Sequence, residues 1–363
     1  MNVKKILIFS LAYYPHVGGA EVAIKEITGR IFDVEFHMVT LRFSSADKAE
    51  EKIGNVFVHR VGSGASYLSK ILFVHRAAFK ARQLHRTEKF DGAWAMMSYM
   101  LLPLAFLRLP YALTLQEGDT YGHMFARARI LPFLPLINRG FKNARVVSAI
   151  STYLGVWARK RGYFGSLEII PNGVDVKKFS GEQVSHGGVV LITSSRLVHK
   201  NAVDDIIRAL ADLPQDVRLV VAGSGPEEKN LKQLAQKLGV AGRVEFLGYV
   251  DHARLPALLH AADIFIRPSR SEGMGISFVE AFAAKLPVIS TQEGGLKDFI
   301  SSETAWIVEK DNPRQITLQI KAILGNPEEA RRVIDSAYNL VVKKYDWSLI
   351  ARDMREKVFA RLF

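Results

Sequence analysis

The chain has 363 residues, 48% of them hydrophobic, with 49 Lys or Arg against 36 Asp or Glu and a formal net charge of +13. That length and apolar content exclude a disordered polypeptide and leave room for two cores of about 170 to 180 residues each. With no cysteine, a disulfide framework and a thiolate nucleophile are excluded as well.

Lys4 and Lys5 followed by Ile6-Leu7-Ile8-Phe9 have the look of a signal peptide but lead into Tyr14-Pro15 without a cleavage pattern, so residues 6–10 are expected to form a first buried strand. Gly18 and Gly19 then sit at a strand-to-helix turn, where a side chain would block close approach of a phosphate or an acceptor to the backbone. Further short apolar runs at 34–40, 55–61, 92–97, 111–115 and 145–150 read as strands, with helical patterns between several of them. The longest uncharged stretch, 92–107, has sixteen residues and contains Pro103, which is too short for a membrane span.

Residues 67–89 predict a helix with Leu68, Ile71, Leu72 and Phe79 on an imperfect stripe that His75 and Arg82 share. Lys70, Arg76, Lys80, Arg82, Arg86 and Lys89 surround it. A second segment, 127–142, mixes Arg127, Arg129, Arg139 and Lys142 with aliphatic and aromatic residues. Such segments either lie on anionic lipid or pack as core helices with a solvated basic face. The charge is uneven: residues 1–180 hold 25 Lys or Arg against 13 Asp or Glu, and residues 181–363 hold 24 against 23. A basic first half points to an anionic partner.

The polar stretch 177–188, with Gly181, Gly187 and Gly188, reads as an interdomain linker. A second strand series follows at 189–194, 217–223, 244–246, 264–267, 288–291 and 306–308, and a last helix at 347–363 carries Ile350, Met354, Val358 and Leu362 as its apolar stripe. Strands alternating with helices in both halves predict an α/β fold of two doubly wound parallel sheets.

The chemistry concentrates at Ser271-Glu272-Gly273-Met274-Gly275-Ile276-Ser277-Phe278-Val279-Glu280, where two carboxylates with seven residues between them flank a Gly-x-Gly turn that opens an apolar helix. The turn admits close backbone approach, and the helix N-terminus favours an anion. Glu280 is expected about two helical turns into that helix. Arg196 and Lys200 follow the first strand of the second half and offer fixed positive charge to a diphosphate. Gly223-Ser224-Gly225 is either a tight structural turn or part of a nucleotide site. Asp-x-Asp and His- or Cys-rich metal spacings are absent from the sequence.

Pro15-His16-Val17-Gly18-Gly19-Ala20-Glu21, Ser148-Ala149-Ile150-Ser151, Pro171-Asn172-Gly173-Val174-Asp175, Ser195-Arg196-Leu197-Val198-His199-Lys200, Ala222-Gly223-Ser224-Gly225-Pro226, Phe246-Leu247-Gly248-Tyr249-Val250 and the glutamate segment occur in this order along nearly the whole chain. The series resembles the GT-B-fold retaining glycosyltransferases with a Glu-x7-Glu motif, known as glycosyltransferase family 4 or glycosyl transferases group 1. The resemblance implies two Rossmann-like domains facing across a cleft. Residues 1–180 would bind the acceptor, residues 181–345 the donor, and helix 346–363 would return to the first domain. By the family pattern Glu272 contacts the hydroxyls of the transferred sugar and Glu280 those of the ribose. Gly273, Met274, Gly275 and Ile276 lie near the diphosphate, with Gly18, Gly19, Gly223 and Tyr249 also lining the donor, and Arg196 and Lys200 stabilise the leaving group. Gln116 stands at or beside the position where many relatives have a His near the donor sugar, and an amide cannot titrate there. Where relatives often have Gly before the Pro-Val strand, this chain has Lys285, an expected change in a helix C-cap.

The expectation is therefore a retaining, metal-independent transferase. It would use a UDP- or GDP-linked sugar, need no cofactor or metal, and act on a lipid-linked or membrane-associated glycan. Lys70, Arg76, Lys80, Arg86, Arg127 and Arg129 would face an anionic membrane surface. The expected location is cytoplasmic, peripheral to the cytoplasmic face of the membrane, with no nucleic-acid partner. A soluble transferase for small acceptors and a catalytically silent nucleotide-binding module stand as rival readings.

Overall fold

The computed structural model describes residues 3–363. The chain forms two compact units, one running to Asn172 and including Trp347–Phe363, the other Gly173–Asp346. The passage between them precedes the polar stretch 177–188, and Val176–Phe179 is already a helix of the second unit.

The first unit is built on eight strands: β1 (Lys4–Phe9), β2 (Val34–Leu41), β3 (Glu50–Ile53), β4 (Val56–Val61), β5 (Gly92–Met96), β6 (Tyr111–Leu115), β7 (Val146–Ala149) and β8 (Leu167–Ile169). They are ordered β3-β4-β2-β1-β5-β6-β7-β8. Ile6, Leu7, Ile8 and Phe9 are fully buried and β5 is buried throughout. Central parallel strands are covered by helices on both faces and so read as continuous apolar runs. The outer strands β3 and β8 had no such signal. β3 is Glu50-Glu51-Lys52-Ile53, a charged edge strand that pairs antiparallel with β4, whereas β8 is a three-residue edge at the other side. Charged and very short strands are how an open sheet blunts its edges.

The C-terminal segment packs into this unit as its stripe predicts, with Ile350, Met354, Val358 and Leu362 all buried. It is α-helical over Trp347–Asp353, relaxes into a π turn at Met354–Val358 and ends in a 3-10 turn. Phe359 meets the rings of Phe36 and Trp94 at 5.7 and 5.0 Å, and Arg355 binds Asp33 at 2.7 Å.

The long helix Tyr67–Glu88 starts where the Ser66 side chain accepts from the Ser69 amide. It turns Phe73, Ala77, Ala78 and Ala81 inward. Leu68, Ile71, Leu72 and Phe79 therefore lie on its solvent side, and Phe79 is 72% exposed. The helix docks through Phe73 and three alanines, and most of its larger apolar residues are left outside.

The second unit holds β9 (Val189–Ser194), β10 (Val217–Ala222), β11 (Val244–Gly248), β12 (Ile264–Arg267), β13 (Val288–Ser290) and β14 (Trp306–Ile307), ordered β11-β10-β9-β12-β13-β14 and paired in parallel. Its core joins Leu191, Leu219, Val221, Ile264 and Ile266 of the strands to Ile206, Leu210, Leu231 and Ile320 of the helices. Because all six strands run the same way, the loops after β9, β10 and β12 leave the same edge of the sheet, the usual place for a ligand in such folds.

Candidate functional site

The loop after β9 carries Arg196 and Lys200, the loop after β10 carries Gly223-Ser224-Gly225, and the turn after β12 carries Glu272. The first two are joined by backbone bonds, Ser195 N to Ala222 O at 3.1 Å and Leu197 N to Ser224 O at 3.0 Å. A Cβ on Gly223 would lie 1.9 Å from the Ser195 carbonyl oxygen, so the contact needs glycine. This gives the Gly-x-Gly turn a structural cause. Gly223 N also donates to Gly248 O at 2.8 Å, which places Tyr249 beside this turn with 66% of its surface exposed.

Glu272 is buried, its Oε1 accepting the Gly273 amide at 2.9 Å and its Oε2 held by the Arg267 guanidinium. Gly294 presses on the Glu272 backbone, where a Cβ would stand 2.1 Å from the carbonyl oxygen. Gly275, at φ +79°, caps the helix Ile276–Ala283, and Met274 is buried beneath the turn. Glu280 is the fifth residue of that helix, a little over one turn in and not two. It is buried, and its Oε1 lies 2.6 Å from His252 Nε2, whose ring packs against Phe179 at 5.6 Å. Arg196 is exposed and Lys200 half-buried.

Three participants escaped the sequence reading. Arg267 ends β12, Asn201 follows Lys200, and His252 lies after β11. Each becomes visible only when separate loops meet. A further brace, Arg270, donates its amide to Lys200 O at 2.7 Å and its guanidinium to His199 O at 2.7 Å. Burial works against the Arg270 charge, yet Asp204 and Asp311 raise its pKa above the ordinary value. Burial likewise works against the Asp204 carboxylate, and Arg270 and Arg208 lower its pKa.

In the first unit Gly18 and Gly19 are exposed at the start of the helix Gly19–Thr28, where the Gly18 amide donates to Glu21 Oε2 at 2.7 Å. Gln116 is buried and exchanges hydrogen bonds with Asn172, 3.0 Å in one direction and 3.2 Å in the other. Glu117 beside it accepts from the Ser98 amide at 2.7 Å, and burial raises its pKa above the usual carboxylate value. Arg127 lies 2.7 Å from His123 Nδ1, and Arg129 stacks over the Tyr67 ring at 5.2 Å. Lys80 is engaged by Glu50 at 2.7 Å, whereas Lys70, Arg76 and Arg86 are exposed.

Among the described residues one trio could ligate a metal, Glu35, His37 and Glu88 of the first unit. The Lys5 ammonium already sits 2.8 Å from Glu35 and 2.7 Å from Glu88, so the carboxylates have their counter-ion. Among the described residues, no helix is long and apolar enough to cross a membrane.

Residues 17–178 match the family model for Glycosyltransferase Family 4, and residues 176–340 match that for Glycosyl transferases group 1. The chain belongs to this family. It is a glycosyltransferase. It is 24% identical over 379 aligned positions to the GDP-mannose-dependent alpha-(1-6)-phosphatidylinositol monomannoside mannosyltransferase of Mycobacterium tuberculosis, covering 98% of both chains. Sucrose-phosphate synthase from Thermosynechococcus elongatus superposes with a TM-score of 0.87 at 19% identity over 99% of each chain. Anabaena HepE in complex with UDP and glucose gives 0.80 at 20% identity, over 98% of this transferase and all of HepE. The fold is GT-B.

The Glu117 carboxyl generates a pH prediction. With its native pKa raised, the folded state holds more protons than the unfolded state between the ordinary carboxyl value and the native one, so its contribution to stability falls as pH rises through that window. Glu117→Gln keeps an acceptor for the Ser98 amide and cannot ionise. The melting temperature of the variant minus that of wild type is expected to increase between about pH 4 and pH 8. A difference that is flat or shrinks over this range contradicts the assignment.

Proposed function

We propose that this transferase moves a sugar from a nucleotide diphosphate sugar to a hydroxyl of a lipid-linked or membrane-associated glycan, with retention of anomeric configuration and without a metal ion. The observation that carries the donor reading is the arrangement in the second unit. Two buried carboxylates, one in the turn and one in the helix behind it, share a sheet edge with a loop bearing two cations. In this reading Glu272 holds sugar hydroxyls, Glu280 the ribose, and the amides at Gly275 and Ile276 the diphosphate. Arg196 and Lys200 neutralise charge on the departing diphosphate, the task a divalent ion performs elsewhere. The acceptor hydroxyl attacks the face that the diphosphate leaves, and a phosphate oxygen accepts its proton. The UDP and glucose bound to HepE, and the GDP-mannose dependence and phosphatidylinositol monomannoside in the name of the mycobacterial relative, support a nucleotide-sugar donor and a membrane acceptor.

The solvent face of helix Tyr67–Glu88 supports membrane contact. Leu68, Ile71, Leu72 and Phe79 are exposed there among Lys70, Arg76 and Arg86. Arg129 on the Tyr67 ring joins this face to a second segment, where Leu131 and Phe133 are also exposed. Apolar side chains that enter a bilayer surface beside basic ones that bind anionic headgroups are the two components of interfacial attachment.

Glu280→Ala is expected to weaken binding of the bare nucleoside diphosphate by about 10- to 100-fold in calorimetry, the loss of hydrogen bonds to a charged group. Glu272→Ala should slow turnover and leave that affinity largely intact. The reverse pattern contradicts the two roles, and so does wild-type turnover in both variants. On the acceptor side, sedimentation with anionic liposomes should decline as salt rises, since charges are screened beyond about 8 Å at physiological ionic strength. Replacing Lys70, Arg76, Lys80 and Arg86 with Gln should weaken it further without changing nucleotide affinity. Equal sedimentation of both proteins across salt removes this face as the membrane contact and favours a soluble acceptor.

A further inference from the structure

Beneath the cation loop and the glutamate turn lies a polar cluster that is more than nine-tenths buried. Asn201 is 2% exposed, Glu272 6%, Arg267 8% and Ser277 8%. Polar groups this deep are costly unless their partners are fixed, so a cluster like this specifies one geometry. The Arg267 guanidinium is at its centre. It donates to Ser277 Oγ at 2.7 Å, to Asn201 Oδ1 at 3.1 Å and to Glu272 Oε2, and its Cζ lies 5.3 Å from the centroid of the Phe278 ring. Asn201 in turn donates its Nδ2 to the Arg196 carbonyl oxygen at 2.6 Å. A continuous path of side chains thus runs from the backbone of Arg196 through Asn201 and Arg267 to the carboxylate of Glu272.

Arg267 and Arg270 have different work. Arg270 binds the backbone of residues 199 and 200 and the carboxylates of Asp204, Asp205 and Asp311, so it braces the loop without touching either glutamate. Arg267 is the group that reaches Glu272 itself. With Oε2 held by Arg267 and Oε1 by the Gly273 amide, the plane of the carboxylate is set, and its other lone pairs are free to accept from hydroxyls.

We infer that Arg267 is a positioning residue for sugar transfer. It orients Glu272 toward the sugar hydroxyls and, through Asn201, keeps the Arg196 loop in register with that carboxylate. This inference rests on the proposed roles of Glu272 and Arg196. A planar fork that makes three directed contacts cannot be reproduced by an ammonium or an amide. Its loss lets the sugar and the leaving diphosphate drift apart while each part of the site is still present.

The test uses the full chain and compares wild type with Arg267→Gln, Arg267→Lys, Asn201→Ala, Glu272→Gln and the Arg267→Gln/Glu272→Gln double variant. Donor-dependent release of nucleoside diphosphate gives kcat and KM, and calorimetry gives affinity for the bare nucleoside diphosphate. Arg267→Gln is expected to lower kcat on the order of 10²-fold, the effect of a misplacement of about 1 Å. Its nucleoside diphosphate affinity should stay within about twofold of wild type, because the loss is confined to the transition state. Arg267→Lys should recover part of the rate. The double variant should fall well short of the product of the two single losses, because one residue acts largely through the other. A merely structural role predicts multiplied losses and weaker nucleotide binding, and that outcome overturns the inference. So does a folded Arg267→Gln protein with wild-type kcat beside a slow Glu272→Gln. If Arg267→Gln does not fold, Asn201→Ala decides, since it keeps the Arg267 contact with Glu272 and cuts the link to Arg196: a lowered kcat supports the inference and an unchanged one overturns it. Wild-type turnover in Glu272→Gln overturns the reading of Glu272 itself and takes the inference with it.

Discussion

The second unit's site depends on backbone segments approaching one another more closely than any side chain permits. The loops after β9 and β10 touch at Gly223, and Gly225 repeats the contact, where a Cβ would lie 2.2 Å from the Leu197 carbonyl oxygen. Gly294 makes the equivalent approach to Glu272. These three glycines bring the loops after β9 and β10, and those after β12 and β13, together in pairs that ordinary residues would hold open by the width of a methyl group. The closeness has a consequence for polar groups, because carbonyls and carboxylates drawn together away from water need donors. Asn201, Arg267 and Arg270 are those donors: the two arginines reach from the end of β12 and the turn after it to the loop after β9, and Asn201 ties that loop to its own Arg196 carbonyl. The site's rigidity and its charge distribution thus arise from the same contacts.

The two units carry different burdens. The second concentrates paired charges at a sheet edge, with Asp204, Asp205 and Asp311 around Arg270 and Glu272 against Arg267, within a half of the sequence whose basic and acidic residues are nearly equal in number. The first keeps much of its excess positive charge on exposed side chains of one long helix, next to exposed leucines and phenylalanine. A helix that docks through Phe73 and three alanines is anchored at little cost in volume and is free to present large residues outward. Under the proposed function, this division gives the donor a fixed geometry and the acceptor a surface.

Much of this was legible in the sequence. The central strands announced themselves because burial on both faces forces continuous apolar runs, and the last helix did so because every fourth residue of its stripe enters the core. What failed was local. β3 has three charged residues in four and β8 has three residues in all, so neither carries an apolar signal. The stripe at Leu68, Ile71, Leu72 and Phe79 was visible, but its direction was not, since alanines on the opposite face give almost no pattern. Lys285 adopts φ +56° in the place where relatives often have Gly, so the expected C-cap change is a left-handed lysine. Glu272, Glu280, Arg196 and Lys200 stood out by spacing and motif. Arg267 and His252 did not, because the partners they bind are five and 28 positions away and are set by loop geometry alone.

The central claim is that the second unit alone positions the nucleotide, with side-chain cations in place of a metal. A crystal structure of EDTA-treated protein with a bound nucleoside diphosphate tests it most directly. The account predicts ribose hydroxyls on Glu280 and the diphosphate on Arg196, Lys200 and the amides at Gly275 and Ile276. A nucleotide seated on the first unit, or binding that fails in EDTA and returns with a divalent ion bridging carboxylates to the diphosphate, would contradict it.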